Sequence, residues 1–315
     1  MRLATIDLGT NTVRLLVAEV GPGGRWRVVE QDQRITRLGE GLAASGVLGA
    51  EPMARTRSAV AAYVARATGL GAGAVDIVAT SAVREAANGP SFAGLVQEAT
   101  GRPVRIVSGE DEARLTLRGV REGLGPLPGR VVLFDIGGGS TEYVAAEDDR
   151  IVAAVSLRLG VVPLTERFPF PAAVDWDRFG ALMLEVKGRL ERELPPSLAQ
   201  SEVTHLVGTA GTVTTLAALD LGLADYDATR VQGHRLRRRA IERLLQRLGG
   251  LTVEERAALP CLEPGRADLI VPGIAIVLTT MATLGVEALL VSDWGLREGL
   301  MAELAAATRT GPGPA

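Results

Sequence analysis

The sequence predicts an α/β protein made of two related domains that share one cleft. Three observations carry this. First, a motif of strand, acid, glycine, hydroxyl and second strand occurs twice. Asp7, Gly9 and Thr12 in one copy fall on Asp135, Gly137 and Ser140 in the other, an offset of 128 positions. Such a duplication points to two domains that each offer a loop to a common ligand. Second, strand and helix patterns alternate behind each copy. Third, 315 residues with 47% apolar content are enough for two ordinary cores.

In chain order, residues 2–7, 12–20 and 25–32 read as strands, with Gly21-Pro22-Gly23-Gly24 turning the second into the third. Ala59, Val60, Tyr63, Val64 and Ala67 recur at helical spacing and predict a helix over 52–68. Residues 75–80 read as a strand, 81–88 as a short helix carrying Arg84, and Ser91 as the cap of a helix running to Thr100. After a strand at 104–107, Ser108-Gly109-Glu110-Asp111 resembles a capping box that opens a helix to Arg121. Residues 122–130 hold Gly123, Gly125, Pro126, Pro128 and Gly129 and read as the linker. The expected domains are therefore 1–124 and 125–309, the last helix being free to pack back on the first domain.

The second domain repeats three strands at 131–136, 141–146 and 151–157. Asp175 caps a long amphipathic helix that Pro195-Pro196 ends. A strand at 203–207 runs into Gly208-Thr209-Ala210-Gly211-Thr212, read as a third loop, and a helix at 213–221. The arginine-rich stretch 235–248 reads as a basic helix with a solvated face. Thr252 and Glu255 form a capping box, Gly285 caps an apolar helix, 288–291 is a strand, and 296–307 is the last helix. Residues 310–315, rich in Gly and Pro, read as a disordered tail.

Glycines and hydroxyls at these three places are where backbone N–H groups can cradle an anion, in a nest or at a helix N-terminus. Asp135, at a strand end, is placed to hold a metal ion against that anion. The composition narrows the alternatives. A net charge of −3 gives no global argument for nucleic acid or a membrane surface as partner. Cys261 is the sole cysteine and His205 and His234 the only histidines, which excludes an internal disulfide and argues against a Cys or His metal centre. Asp7 interrupts the first apolar run, so no secretory signal is expected. The apolar stretch 269–291 is broken by Pro272, Gly273 and Gly285 and is too short a helix to span a bilayer. A soluble, cytoplasmic protein is expected.

The two Asp loops resemble those of the actin, sugar-kinase and chaperone ATPase superfamily. More specifically, the chain resembles the exopolyphosphatase / guanosine pentaphosphate phosphohydrolase family. Six motifs in order carry this: 7–12 with Arg14, 80–86 with Asn88, 108–115, 135–142, 208–212 and 292–299. The resemblance implies two duplicated actin-like (ribonuclease-H-like) domains and hydrolysis of a terminal phosphoanhydride in polyphosphate or guanosine pentaphosphate. It implies Glu112 as general base, although by position alone Glu110 and Asp111 serve equally well as first-turn acids. It implies phosphate binding at Gly9, Thr10, Asn11, Thr12, Gly137, Gly138, Gly139, Ser140, Gly208, Gly211 and Thr212. Arg14 and Arg84 are expected as phosphate clamps and Arg266 as a contact to distal phosphates; Arg14 has a lesser alternative as a strand surface charge. Asp7, Asp135 and Glu142 are expected to ligate Mg2+ or another divalent ion. A homodimer is expected as well. The chain departs from the family pattern at Gln232-Gly233-His234, and it stops near 309, where longer members continue into a helical domain. Two other classes stay open: a small-molecule kinase of the same superfamily, and a non-catalytic alarmone sensor.

Overall fold

The computed structural model describes residues 1–148, 150–199 and 202–308, so the expected tail at 310–315 lies outside the described residues. In chain order the elements are β1 (Arg2–Leu8), β2 (Thr12–Val20), β3 (Trp26–Ile35), α1 (Leu42–Ser45), α2 (Ala50–Gly69), β4 (Ala72–Ala79), α3 (Ser81–Glu85), α4 (Gly89–Thr100), β5 (Val104–Ile106) and α5 (Gly109–Leu124). There follow β6 (Arg130–Ile136), β7 (Thr141–Glu147), β8 (Arg150–Leu157), α6 (Val161–Arg167), α7 (Trp176–Glu193), α8 (Pro196–Ala199), β9 (His205–Thr209) and α9 (Ala210–Asp220). The chain closes with α10 (Ala228–Val231), β10 (Arg235–Arg237), α11 (Arg238–Gly249), α12 (Val253–Ala257), α13 (Ile270–Thr283), β11 (Ala288–Val291) and α14 (Leu296–Ala307).

The chain divides into two compact units, Met1–Glu122 with Gly295–Ala315, and Gly123–Trp294. The first holds a sheet of order β3-β2-β1-β4-β5 and the second a sheet of order β10-β11-β9-β6-β7-β8. Each sheet has the same heart. An antiparallel meander (β1-β2-β3, β6-β7-β8) is extended on the other side of its first strand by a parallel strand, β4 or β9.

Alternation along the strands sorts side chains by face. On β1, Ala4, Ile6 and Leu8 join Val60, Tyr63 and Phe92 of α2 and α4 in one core. Leu3 turns to the other face, where it packs with Leu16 and with Met301 and Ala305 of α14. Val78 of β4 shares that face with Leu115 of α5 and Leu300 of α14. Asp7, two pleats on from Leu3, therefore stands on the α5 and α14 side of the sheet. In the second unit Val132, Phe134 and Ile136 enter the main core, which leaves Asp135 on the opposite face. Within α12, fully buried Arg256 donates to the carbonyls of Leu248 (2.9 Å), Phe170 (2.8 Å) and Ala172 (3.2 Å). A buried cation thus ties α12 to the end of α11 and to the segment before α7; burial lowers its pKa.

Several local expectations hold. Asp175 accepts from the N–H groups of Asp177 and Arg178, and Thr252 with Glu255 closes a capping box. Ser108 accepts from the Asp111 N–H at 3.1 Å. Others are corrected. The stretch 235–248 is not one helix, because Arg235–Arg237 pairs with β11 as an edge strand and the helix starts at Arg238. Helix α4 begins at Gly89 after Asn88 rather than at Ser91. Asn88 is instead bonded in both directions to the backbone of Leu48, at 2.8 and 3.0 Å.

Candidate active site

Each Asp motif ends in a two-residue hairpin turn. Gly9 N–H donates to the Thr12 carbonyl at 3.1 Å and Gly137 N–H to the Ser140 carbonyl at 2.9 Å, so the duplication is exact in its backbone bonding. The glycines serve close approach, not an unusual backbone angle. None of Gly9, Gly137, Gly138 and Gly139 has positive φ, and a Cβ on Gly9 or Gly137 would lie 3.0 Å from the facing carbonyl oxygen. Both turns are braced from behind. The Thr10 carbonyl accepts from Gly39 N–H (2.9 Å) and the Asn11 carbonyl from Thr36 and Arg37 (3.0 Å each). In the second loop, Gly137 and Gly138 carbonyls accept from Val161 (3.2 Å) and Val162 (2.8 Å) at the start of α6. With the carbonyls held there, the N–H groups at Thr10, Asn11, Gly138 and Gly139 are available to an anion.

The duplicated strands carry different chemistry across the turn. Asp7 stands opposite Arg14, whereas Asp135 stands opposite Glu142. The first loop thus sets an acid beside a base, and the second sets two acids side by side. Glu142 is 2% exposed, and its Oε1 accepts from Ser140 Oγ and from Ser156 Oγ, both at 2.7 Å. The hydroxyl proton of Ser140 therefore points to Glu142. Among the described residues, no three Asp, Glu, His or Cys side chains gather as a metal site. The facing pair Asp135 and Glu142 does suit a hard divalent ion, since like charges in adjacent pleats call for a cation and Mg2+ takes one or two carboxylates plus substrate oxygens.

Glu112 lies in the first turn of α5 and is 7% exposed. Arg84 of α3 donates through Nη1 to Glu112 Oε2 at 2.8 Å and to the Val107 carbonyl at 3.0 Å. The parallel strands β1, β4 and β5 deliver Asp7, Arg84 and Glu112 from the same end of the first sheet, where open α/β sheets bind their ligands. The guanidinium and the carboxylate thus form a largely desolvated ion pair, with side chains 21% and 10% exposed. Glu110 instead pairs with Arg114 on the exposed face, and Asp111 takes the Ser108 hydroxyl, so α5 itself separates Glu112 from its two acidic neighbours.

The third expected loop is corrected. β9 runs through Thr209 and α9 starts at Ala210, which makes the whole turn at one residue with φ +69°. Gly208 lies within the strand, where a Cβ would meet the Phe134 ring at 2.9 Å, so its small size serves packing. Gly211 is different. A Cβ there would lie 1.4 Å from Arg266 Nη1, so the guanidinium lies against the first turn of α9, ion-paired with Glu263 at 3.0 Å. Gly211, Thr212 and Arg266 thus come together in the second unit. A non-glycine residue in the left-handed region is strained by roughly 1–2 kcal/mol, of which glycine recovers part. Ala210→Gly is therefore expected to stabilise the protein by about 1 kcal/mol, read as a higher urea midpoint at unchanged slope.

The remaining motif residues serve the scaffold. Ser292 Oγ and Thr209 Oγ1 both donate to the Trp294 carbonyl, at 2.7 and 3.2 Å. His234 pairs with Asp220 at 3.0 Å, and Gln232 accepts from Asp293 N–H at 2.6 Å. Cys261 donates to the Leu223 carbonyl, and burial and then the Asp225 charge raise its pKa, the reverse of what a nucleophilic thiol needs. Sequence reasoning missed Ser156 and the Arg84–Glu112 contact. The register of β7 with β8 was the one local signal for Ser156.

The chain is similar to known proteins over nearly its whole length. Exopolyphosphatase 2 of Mycobacterium tuberculosis is 37% identical over 320 residues, covering 96% of this chain and 98% of that protein. Exopolyphosphatase 1 of Mycobacterium bovis is 31% identical over 96% of this chain and 87% of that protein. The crystal structure of the Aquifex aeolicus Ppx/GppA family member superposes with a TM-score of 0.82 at 31% identity, over 99% of both chains. That of an exopolyphosphatase from Cytophaga hutchinsonii reaches 0.90 over 98% of both chains, at 24% identity, and bears on the fold. The two units are thus duplicated actin-like domains. The sequence profile of the Ppx/GppA phosphatase family matches residues 16–307, and the chain belongs to that family.

Proposed function

We propose that this protein releases orthophosphate from the ends of inorganic polyphosphate, with Glu112 as general base. Family membership makes it a hydrolase of phosphoanhydrides, and relatives named exopolyphosphatases favour polyphosphate over guanosine pentaphosphate as the substrate. The observation that carries the residue roles is the partly buried Arg84–Glu112 pair beside the first loop. An incoming phosphoryl group competes with Glu112 for the Arg84 guanidinium, which suits planar, bidentate binding of phosphate oxygens. Glu112 then takes the proton of the attacking water. The water oxygen bonds to the terminal phosphorus as the bridging P–O bond breaks. The loop N–H groups of Thr10, Asn11, Gly138 and Gly139 and the guanidiniums of Arg14 and Arg266 are the groups to hold phosphate oxygens. In the second unit Asp135 and Glu142 would hold Mg2+, which would polarise phosphoryl oxygens and offset the negative charge of the carboxylates. Asp7, set opposite Arg14 in the first sheet, is the remaining residue expected to ligate the ion.

The same reading takes the chain to be a cytoplasmic homodimer; no described helix is long and apolar enough to cross a membrane. Phosphate release is to be measured from polyphosphate and from guanosine pentaphosphate in parallel, with Mg2+, and the mass of the particle by light scattering. Release from polyphosphate is the expected result. ATP-dependent phosphorylation of a small acceptor, or tight nucleotide binding without turnover, overturns the proposal in favour of a kinase or a sensor.

A further inference from the structure

The loop chemistry uses Glu142, and the structure shows what holds it. A carboxylate oxygen offers about two lone-pair directions. Both directions on Glu142 Oε1 are taken, by hydroxyls at 2.7 Å from Ser140 and from Ser156. Ser140 belongs to the loop itself. Ser156 comes from β8, where it is the register partner of Glu142, which is in turn the partner of Asp135. Asp135, Glu142 and Ser156 thus form one cross-strand row on one face of the second sheet. The corresponding row of the first sheet is Asp7, Arg14 and Gln33. The hydroxyl of Ser156 accompanies the acid pair and has no counterpart where the middle residue is arginine. Its sequence neighbours Val155 and Leu157 point to the core face, so backbone alternation alone puts a polar side chain at this point.

We infer that Ser156 is a positioning residue for the divalent ion, an inference that rests on Asp135 and Glu142 being the ion's ligands. Together with Ser140 it occupies Oε1 of Glu142 and fixes the plane of the carboxylate, so that the other oxygen binds the ion. Hydrogen-bond partners of this kind, one step removed from the metal, commonly change affinity tenfold to a hundredfold when lost.

The test is Mn2+ binding to the full chain without substrate, read by electron paramagnetic resonance, for wild type, Ser156→Ala and Ser156→Thr. Ser156→Ala is expected to weaken Mn2+ by about tenfold, and Ser156→Thr, which keeps the hydroxyl and suits a strand, to stay near wild type. In turnover, Ser156→Ala should raise the ion concentration for half-maximal phosphate release by a similar factor, with kcat recovering at saturating ion. A merely structural role would lower kcat at every ion concentration. Should Ser156→Ala fail to fold, Ser156→Cys keeps the volume with a much weaker donor and should show the same direction. Unchanged Mn2+ affinity in a folded Ala or Cys variant overturns the role of Ser156 while leaving the hydrolase reading intact. A wild-type protein that releases phosphate but binds no Mn2+ also overturns it. A wild type that releases no phosphate removes the functional reading itself.

Discussion

Glu112→Gln is expected to lower phosphate release by about a thousandfold while the thermal midpoint stays unchanged. The substitution keeps the shape of the side chain and an oxygen that accepts from Arg84, now 2.8 Å from Glu112 Oε2. What it removes is the ability to take a proton from water. General-base assistance contributes roughly 10²–10⁴-fold, and phosphoryl transfer depends on it only in part, because charge stabilisation by the loops and the ion remains. KM for polyphosphate should fall rather than rise, since the variant releases Arg84 from an opposing charge that competes with phosphate. Steady-state phosphate release together with circular dichroism checks this. Turnover near the wild-type rate in a folded variant would sink the assignment. Because Arg84 and Glu112 are in direct contact, and act together in the proposed mechanism, Arg84→Met combined with Glu112→Gln should lose far less than the product of the two single losses.

The backbone of the candidate site was legible in the sequence where its signals are local. The Asp loops repeat at a fixed offset with an identical turn bond, and caps at Asp175 and Thr252 announce their helices within four residues. What escaped is decided by contacts between distant segments. Arg235–Arg237 is a strand only because β11 offers it an edge; alone, its arginines continue the pattern of α11. Ala210 turns the chain with φ +69°, a conformation that local propensity assigns to glycine, and the neighbouring Gly211 drew the expected loop towards itself. Arg84 meets Glu112 across 28 residues, and neither side chain carries a local sign of the other. The duplication is also incomplete in its chemistry: the residue seven positions on from the acid is arginine in one copy and glutamate in the other.

Gly299→Ala is expected to cost about 3 kcal/mol of stability and to lower kcat by about a hundredfold, although residue 299 belongs to none of the loops. A Cβ on Gly299 would lie 1.9 Å from the Leu115 carbonyl oxygen and 2.7 Å from its carbon. Reciprocally, a Cβ on Gly119 would lie 1.9 Å from the Gly295 carbonyl oxygen. Backbones of α5 and the start of α14 are therefore in direct contact, closer than the usual 8–10 Å between helix axes with larger side chains. The obstacle is main chain on both sides, so no rotamer change relieves it. One helix must move, and α14 is held at its start, where Gly295 N–H donates to Glu298 Oε2 at 2.8 Å and Arg118 of α5 reaches the Ala302 carbonyl at 2.9 Å. The displacement falls on α5, whose first turn carries Glu112 three residues before Leu115. A shift of about 1 Å in a catalytic group is enough for a hundredfold loss. Gly94→Ala supplies the contrast: it sits in α4 with nothing within 4 Å of the new methyl, and should stabilise by up to about 1 kcal/mol at unchanged rate. Urea midpoints and kcat for the two variants decide the matter, and a Gly299→Ala protein as stable and as fast as wild type would show that the helix contact does not position the base.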